Sequence, residues 1–196
     1  CNDIIIVTWR SKRAIEDHFD SNFELEEKLD KSWKFDYLKV VKWLNNMANI
    51  VYVRQPYPKW DWDALLRTKN LIWNEPFLVL NGDELIYNKE KSAWKQLVDS
   101  YMSIKSTVIW TATVSDDTMS SYWILETSNI KDNIFKVQNF LEKPKPQETT
   151  SRISSIWKYV LTPDFFSFLE RVSSRNTVWE IRVTEAFELM LKEKKD

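Results

Sequence analysis

The stretch Asp3–Thr8, DIIIVT, is the best single indicator of the fold. Ile4, Ile5, Ile6 and Val7 form a continuous apolar run of β-branched residues, which is typical of a strand covered on both faces. Helical patterns follow at residues 10–19, 23–30 and 35–47, and the next strand is predicted at residues 50–55. Strand, helix and strand in succession predict an α/β fold with a parallel sheet.

The rest of the chain continues the alternation. Further strands are predicted within residues 76–87, where the strand ends in an acidic turn at Gly82, Asp83 and Glu84, and at residues 106–114, 122–127, 134–146 and 154–162. Further helices are predicted at residues 64–70, 92–104, 165–172 and 180–193. We therefore expect one domain over residues 1–196, with a Rossmann-like mixed, mostly parallel sheet and helices on both faces.

The charge balance and the absence of long apolar runs exclude several classes of protein. There are 28 basic and 29 acidic residues, so no cationic surface predicts nucleic-acid binding. No apolar run approaches the roughly 20 residues that cross a bilayer. The only cysteine, Cys1, rules out an internal disulfide and favours a reducing compartment. We expect a cytoplasmic protein without membrane or nucleic-acid partners.

Eleven tryptophans and one glycine make the composition unusual. Several tryptophans stand at junctions between predicted elements, where backbone geometry often requires glycine. Trp9 follows the first predicted strand, Trp60 and Trp62 lie in a predicted polar loop, and Trp179 lies just before the last predicted helix. Indoles at so many such positions would overpack the core and strain the backbone, so we expect an impaired native state.

The predicted strand ends bring polar residues to one edge of the sheet. Ligands of open α/β sheets bind beyond the carboxyl ends of the strands, and Thr8, Gln55, Asp83 and Glu84 are expected along that edge. A carboxylate at such a position suits Mg²⁺, but the Gly82-Asp83 pair by itself favours a simple turn. A glutamine before a proline, such as Gln55, is by itself more often just solvated.

An ordered set of motifs resembles the bacterial UTP–glucose-1-phosphate uridylyltransferases over nearly the whole chain. The motifs are DIIIVTWRSKRAIEDHFDSNFELEEKL (3–29), YVRQPYPKWDWDAL (52–65), PFLVLNGDELIY (76–87), SSYWILE (120–126), VQNFLEKPKP (137–146), SSIWKYVLTPDFF (154–166) and VWEIRVTEAFELM (178–190). The resemblance implies a sugar nucleotidyltransferase fold that makes UDP-glucose and pyrophosphate from UTP and glucose 1-phosphate with Mg²⁺.

The resemblance also implies roles for individual residues. Asp83 is expected to bind the metal, Lys143 to reach the sugar phosphate and Glu142 to accept hydrogen bonds from glucose hydroxyls. Gln55 is expected to contact the uracil edge, and Lys143 and Asp83 are the catalytic candidates. Glycine positions near the substrate are occupied by Gly82, Trp60, Trp62 and Trp123. Without the resemblance, Glu142 and Lys143 fit a charged strand end.

The chain departs from the family pattern in two ways. Tryptophan occupies family glycine positions at Trp9, Trp60, Trp62, Trp110, Trp123, Trp157 and Trp179, with Trp33 and Trp73 as further candidates and Trp43 and Trp94 as weaker ones. This predicts UGA codons read as glycine by the organism. By the resemblance, we also expect the chain to lack the family's first βα unit with its phosphate-binding loop and the family's far C-terminal segment. We therefore expect the chain alone to be inactive, and both a monomer and a homo-oligomer stay open for the full-length protein.

Two other functions stay open on the sequence. A related transferase for another nucleotide or sugar would keep the same fold, the Gly-Asp turn and the Glu-Lys-Pro motif. Taken literally, the tryptophans would suit a sugar-binding or interaction module, since aromatic faces stack on sugars and anchor interfaces. Such a module would cluster its tryptophans on one face, whereas here they are scattered over several elements.

Overall fold

The structure is a computed structural model that describes residues 2–57, 59–131, 133–175 and 182–193. The chain forms two compact units, Cys1–Leu71 and Ile72–Asp196, which we call unit 1 and unit 2. No helix within these described ranges is long and apolar enough to cross a membrane. The expectation of a single domain stays a prediction.

Unit 1 is built on one parallel strand pair. Strand β1 (Asp3–Thr8) pairs with β2 (Asn49–Arg54) in a register that runs from Asp3 opposite Asn49 to Thr8 opposite Arg54. The helices of unit 1 are α1 (Arg13–Phe19), α2 (Phe23–Lys31), α3 (Phe35–Asn45) and α4 (Trp60–Thr68), followed by a 3₁₀ turn (Lys69–Leu71). The first three connect β1 to β2, as parallel strands require.

Helix α2 ends in a pattern of hydrogen bonds that normally needs glycine. The Trp33 N–H donates to the Asp30 carbonyl at 3.0 Å, and the Lys34 N–H donates to the Leu29 carbonyl at 2.9 Å. These two bonds define a Schellman motif, whose central residue adopts the left-handed conformation and is usually glycine. Trp33 occupies that position with φ of 59°. The side chain projects into solvent, so the strain lies in the backbone alone.

Unit 2 contains five strands and three helices among its described residues. The strands are β3 (Phe77–Leu80), β4 (Val108–Thr113), β5 (Trp123–Lys131), β6 (Ile134–Glu142) and β7 (Ile153–Leu161); the helices are α5 (Ala93–Ile104), α6 (Phe165–Arg175) and α7 (Val183–Lys192), with a 3₁₀ turn at Met119–Ser121. Every predicted strand and helix is present, with boundaries shifted by a few residues.

Strand β7 occupies the centre of the unit 2 sheet. It pairs antiparallel with β3 along one edge and antiparallel with β4 along the other, while the β5–β6 hairpin joins it through Ile124 and Ser154. The predicted α/β class is confirmed, but fewer strand pairs are parallel than predicted. Strands β3 and β4, which a helix connects, run parallel to each other but are separated by β7. Among the described residues, β1 pairs only with β2. The strands therefore form two sheets and not the single sheet that the sequence predicts.

The hydrophobic core lies in unit 2 and is centred on Phe187 of α7. The Phe187 ring contacts Phe140 of β6, Tyr159 of β7 and Phe165 of α6, with centroid separations between 4.8 and 5.7 Å. Phe77 of β3 stacks on a second aromatic residue of α6. Helices α6 and α7 thus cover the sheet with interlocking rings, which is an efficient way to bury apolar area.

The tryptophans overpack this core less than their number predicts. Six of the described ones have exposed side chains: Trp9, Trp33, Trp43, Trp60, Trp73 and Trp94. Two are buried, Trp62 in unit 1 and Trp123 in unit 2. Trp110 borders a register irregularity in the β4–β7 pairing, a place where glycine is common. Trp179 lies outside the described residues.

Candidate active site

In unit 1, a network of largely buried side-chain hydrogen bonds connects the end of β2 to α4. The Gln55 N–H donates to the Thr8 carbonyl at 2.8 Å and extends the β1–β2 ladder by one bond. The Gln55 side-chain Nε2 donates to Asp63 Oδ2 at 2.8 Å and to the Trp60 carbonyl at 3.3 Å. Arg67 Nε donates to the same Asp63 oxygen at 2.8 Å. Gln55 is 4% exposed, so it has a structural role in addition to any role in binding a base.

Trp60 and Trp62 lie in the first turn of α4 and not in the loop that the sequence predicts. Asp61 and Asp63 occupy the same turn, where carboxylates are stabilised by the positive end of the helix dipole. Trp60 has φ of 56°, in the left-handed region that favours glycine. The buried Trp62 indole Nε1 has no hydrogen-bond partner among the described residues, which is unusual for a buried indole.

In unit 2, the segment Gly82, Asp83 and Glu84 after β3 forms the acidic turn. Its Asp83 side chain is exposed to solvent. Glu84, the next residue, is only partly exposed, and its Oε2 is buried. A Cβ added to Gly82 would meet no atom of the described residues within 4 Å. None of these residues therefore requires glycine at position 82 on steric grounds, and the space beside it is open to a ligand.

The donor set of this turn fits a divalent cation that takes most of its ligands from substrate and water. Within the described ranges, no three His, Cys, Asp or Glu side chains cluster as a protein-only metal site. Mg²⁺ typically binds through one or two carboxylates plus substrate phosphates. The exposed Asp83 carboxylate supplies such a ligand, whereas the buried Glu84 Oε2 forms an ion pair with Lys158 Nζ at 3.7 Å.

The open end of the β5–β6 hairpin, away from its turn, carries Trp123, Glu142 and Lys143. Trp123 and Glu142 are directly opposite each other in the antiparallel register. Arg182, at the start of α7, forms an ion pair with Glu142 and lies over the Trp123 ring at 5.9 Å from its centroid. The predicted sugar-binding carboxylate is therefore held by an arginine that the sequence analysis missed, since nothing in the motif singles it out.

The backbone at Lys143 is strained. Its φ is 44°, although residues before proline normally adopt extended conformations. A hydrogen bond from the Lys143 N–H to the Tyr122 carbonyl, 3.1 Å, and the buried Pro144 hold it in place. Strained backbone that neighbouring structure maintains is concentrated at functional sites. The Lys143 side chain is exposed, so its ammonium is accessible to a ligand.

The predicted residues therefore fall into three groups. Thr8 and Gln55, with Trp60 and Trp62, are brought together in unit 1. Asp83 and Glu84 share the acidic turn of unit 2, with Gly82. Trp123, Glu142 and Lys143 form the third group at the end of the hairpin. The sequence did not single out Asp63 as the partner of Gln55. A signal was available, since an aspartate in the first turn of the helix after Gln55 can accept a hydrogen bond from the glutamine amide.

Known proteins with a similar sequence account for these motifs. The sequence model of the nucleotidyl transferase family matches residues 1–196, the whole chain. The chain belongs to this family. It is 38% identical to the UTP–glucose-1-phosphate uridylyltransferase of Streptococcus pneumoniae serotype 4, over 97% of the chain and 64% of the relative. The nucleotidyl transferase chain thus spans less than two thirds of that relative.

Solved structures agree with the family assignment. The nucleotidyl transferase fold of this chain matches a crystal structure of apo UDP-glucose pyrophosphorylase with a TM-score of 0.89 and 28% identity, over 98% of this chain and 71% of that chain. It also matches a UTP-bound UGPase from Acinetobacter baumannii, with a TM-score of 0.88 and 28% identity, over 99% and 67% of the respective chains. The predicted sugar nucleotidyltransferase fold is confirmed.

Proposed function

We propose that this protein, in its full-length form, is a UTP–glucose-1-phosphate uridylyltransferase. The main support is the 38% identity to a uridylyltransferase of that name over almost the whole chain. A UTP-bound structure with a TM-score of 0.88 supports the nucleotide assignment. The exposed Asp83 and the strained, exposed Lys143 provide the charged groups that this chemistry requires.

The reaction joins a sugar phosphate to a nucleotide. A phosphate oxygen of glucose 1-phosphate attacks the α-phosphorus of UTP, and pyrophosphate leaves as the bond between the α- and β-phosphates breaks. Negative charge develops over phosphate oxygens, so catalysis depends on positioning and on electrostatic stabilisation. The Lys143 ammonium would bind the sugar phosphate and lower the repulsion between the two anionic reactants.

Neutral parts of the substrates would be recognised by side chains that the protein already holds in place. Glu142, fixed by Arg182, would accept hydrogen bonds from glucose hydroxyls. Gln55 would face the uracil base, with its amide oriented by Asp63. Open space beside Gly82 would admit a substrate group close to the backbone.

Asp83 would hold the divalent cation. A bound Mg²⁺ supplies a positive charge that polarises phosphate oxygens and stabilises the leaving pyrophosphate. The contribution of the chain is to keep the Asp83 carboxylate exposed and oriented at the end of β3. We propose Mg²⁺ as the cofactor because the turn offers carboxylate oxygens and neither thiolate nor imidazole.

The test is a pyrophosphate-release assay on the full-length protein, with UTP and glucose 1-phosphate. We expect release that depends on both substrates and on Mg²⁺, and formation of UDP-glucose. Parallel assays replace UTP with dTTP, ATP, CTP or GTP, and glucose 1-phosphate with other sugar 1-phosphates. Faster release with another pair would contradict the proposal and favour a related sugar nucleotidyltransferase.

We further propose that glycine is the residue of the native protein where tryptophan occupies left-handed backbone. The supporting observations are the φ values of 59° at Trp33 and 56° at Trp60, together with the unpaired indole of Trp62. Mass spectrometry of the native protein should find glycine in the peptide that covers positions 60 and 62. Tryptophan masses there, or UGG codons in the gene, would overturn this proposal.

A further inference from the structure

Strand β7 contains a buried lysine that the proposed reaction does not use. Lys158 is 5% exposed, although lysine is almost never fully buried unless it is paired. Its ion-pair partner is Glu84 of the acidic turn, with 3.7 Å between Nζ and Oε2. That separation is too long for a hydrogen bond, and neither atom has a hydrogen-bond partner among the described residues. Charge attraction alone therefore joins the two side chains.

An irregularity in β7 determines where Lys158 stands. Between the pairs Ile109–Tyr159 and Trp110–Ile156, β7 has two more residues than β4, namely Trp157 and Lys158. Such bulges redirect side chains and are common next to active sites. On the opposite edge of β7, Lys158 pairs with Leu80, the last residue of β3. The bulge therefore lies beside the start of the acidic turn.

The acidic turn is attached to β7 at both of its ends. At its start, the Asn81 N–H donates to the Trp157 carbonyl at 3.3 Å. At its end, Glu84 is held by the ion pair with Lys158. Asp83 lies between these two attachments with its side chain exposed.

We infer that Lys158 is a positioning residue for the Asp83 carboxylate, because its ion pair with Glu84 fixes the turn that presents Asp83. The inference deepens the proposed function and rests on it for the role of Asp83. Lys158 is buried, so its proposed role is exerted through Glu84 and not by contact with substrate or metal. An unfixed turn would let Asp83 sample several orientations, and a single carboxylate ligand binds a cation well only from one of them.

A double substitution of a buried ion pair can test its positioning role with little effect on folding stability. Replacing both partners with apolar residues of similar volume is often neutral for folding, whereas removing one partner leaves an uncompensated buried charge. A lysine-to-methionine change alone would also leave an extra negative charge beside Asp83 and alter cation binding directly. The informative variant is therefore Lys158→Met combined with Glu84→Met, which removes the pair without changing the net charge.

The experiment uses the full-length protein and two readouts. In the metal-free protein, hydrogen exchange of the amides at positions 82–84 reports the order of the turn. In the assay with UTP and glucose 1-phosphate, the Mg²⁺ concentration for half-maximal velocity reports cation binding. For the double variant we expect faster exchange at the turn, unchanged exchange along β7, and a roughly tenfold higher Mg²⁺ requirement, the effect typical of losing an outer-shell partner.

A matched control removes an exposed ion pair from the same unit. Asp99 on α5 pairs at the surface with Lys95, 2.8 Å away, and with Lys91. Lys95→Met with Asp99→Asn removes these exposed contacts without changing the net charge and should leave both readouts unchanged. If the Met–Met variant does not fold, Lys158→Met with Glu84→Gln replaces it in the same measurements. Wild-type exchange and wild-type Mg²⁺ dependence in a folded double variant would overturn the inference.

The outcomes distinguish this inference from the proposed function. If the unaltered full-length protein makes no UDP-glucose, the proposed function fails, while the exchange comparison still decides whether the pair orders the turn. If the unaltered protein is active and Asp83→Asn abolishes activity, but the double variant behaves as wild type, only the positioning role is wrong.

Discussion

Unit 1 and unit 2 bury different kinds of side chain. Of the twenty buried hydrophobic residues among those the structure describes, nineteen belong to unit 2 and one, Trp62, belongs to unit 1. The other buried residues of unit 1 are polar: Thr8, Gln55, Asp63 and Thr68. Helices α1, α2 and α3 contain no buried residue. Unit 2 is therefore stabilised by apolar burial, and unit 1 depends mainly on strand pairing and a polar network.

The difference has consequences for how each unit tolerates change. The stabilisation from apolar burial is roughly proportional to the buried area. Truncating one large buried side chain therefore lowers the free energy of unfolding by several kcal/mol. A buried polar network contributes little net energy when intact, but costs more when one partner is lost. Unit 2 should therefore be sensitive to the volume of its core residues, and unit 1 to the identity of a few polar groups.

The largest expected effect is the loss of Phe187 from the core of unit 2. Its ring is 3% exposed and contacts three other rings, so Phe187→Ala should lower the free energy of unfolding by about 3–5 kcal/mol. The matched change in unit 1 is Phe23→Ala, at a side chain that is 76% exposed, and it should stay within about 0.5 kcal/mol. Urea denaturation measures both; equal losses would show that the two units do not differ as described.

The next effect concerns chemistry in unit 2. Asp83→Asn keeps the size of the side chain but removes its charge, so kcat should fall by roughly 10²–10³-fold, as for other groups that stabilise developing charge. Asp117→Asn changes another exposed aspartate of unit 2 and should leave kcat unchanged. The rate of pyrophosphate release checks both. Retention of full activity by Asp83→Asn would remove Asp83 from the proposed metal site.

A smaller effect is expected from the polar network of unit 1. Gln55→Ala removes the donor to Asp63 Oδ2 and leaves the buried carboxylate with Arg67, which should cost about 1–3 kcal/mol of stability. Gln138→Ala, at an exposed position on β6, is the control and should cost almost nothing. If thermal unfolding moved equally in both variants, the network would not stabilise unit 1.

The smallest effect should be a gain. Trp33→Gly relieves left-handed backbone at the end of α2 and should stabilise the protein by about 1 kcal/mol. Trp73→Gly removes an indole that is also exposed but whose φ is not positive, so no gain is expected there. The difference between the two denaturation midpoints is the measurement. Destabilisation by Trp33→Gly as large as that by Trp73→Gly would contradict the argument from φ.

The element order was predictable because each element carries its own periodic signal. The apolar run of β1 and the helical patterns of α2 and α3 depend only on neighbouring residues. The position of β7 between β3 and β4 was not predictable in the same way. Which strands become neighbours depends on contacts between distant parts of the chain, and the alternation of elements alone favoured a parallel arrangement.

The candidate site was predictable where a motif fixed the residue and not where a partner determined its environment. Asp83 lies in the predicted turn after β3, and Lys143 directly follows β6. The burial of Gln55 and the pairing of Glu142 with Arg182 depend on α4 and α7, which come from other parts of the sequence. One signal was available for Lys158: a lysine inside the apolar run IWKYVL indicates a buried ion pair.

The central place of β7 also affects how the chain emerges from the ribosome. β3 ends at Leu80, but β7 begins only at Ile153, so at about 5–20 residues per second β3 waits roughly 4 to 15 seconds for its partner. β4 is made in that interval and has no native pairing with β3, because both strands pair with β7. Two apolar strands with open edges are thus exposed together on the nascent chain, which is when intermolecular pairing is most dangerous. Chaperone binding during synthesis would be most useful in this window.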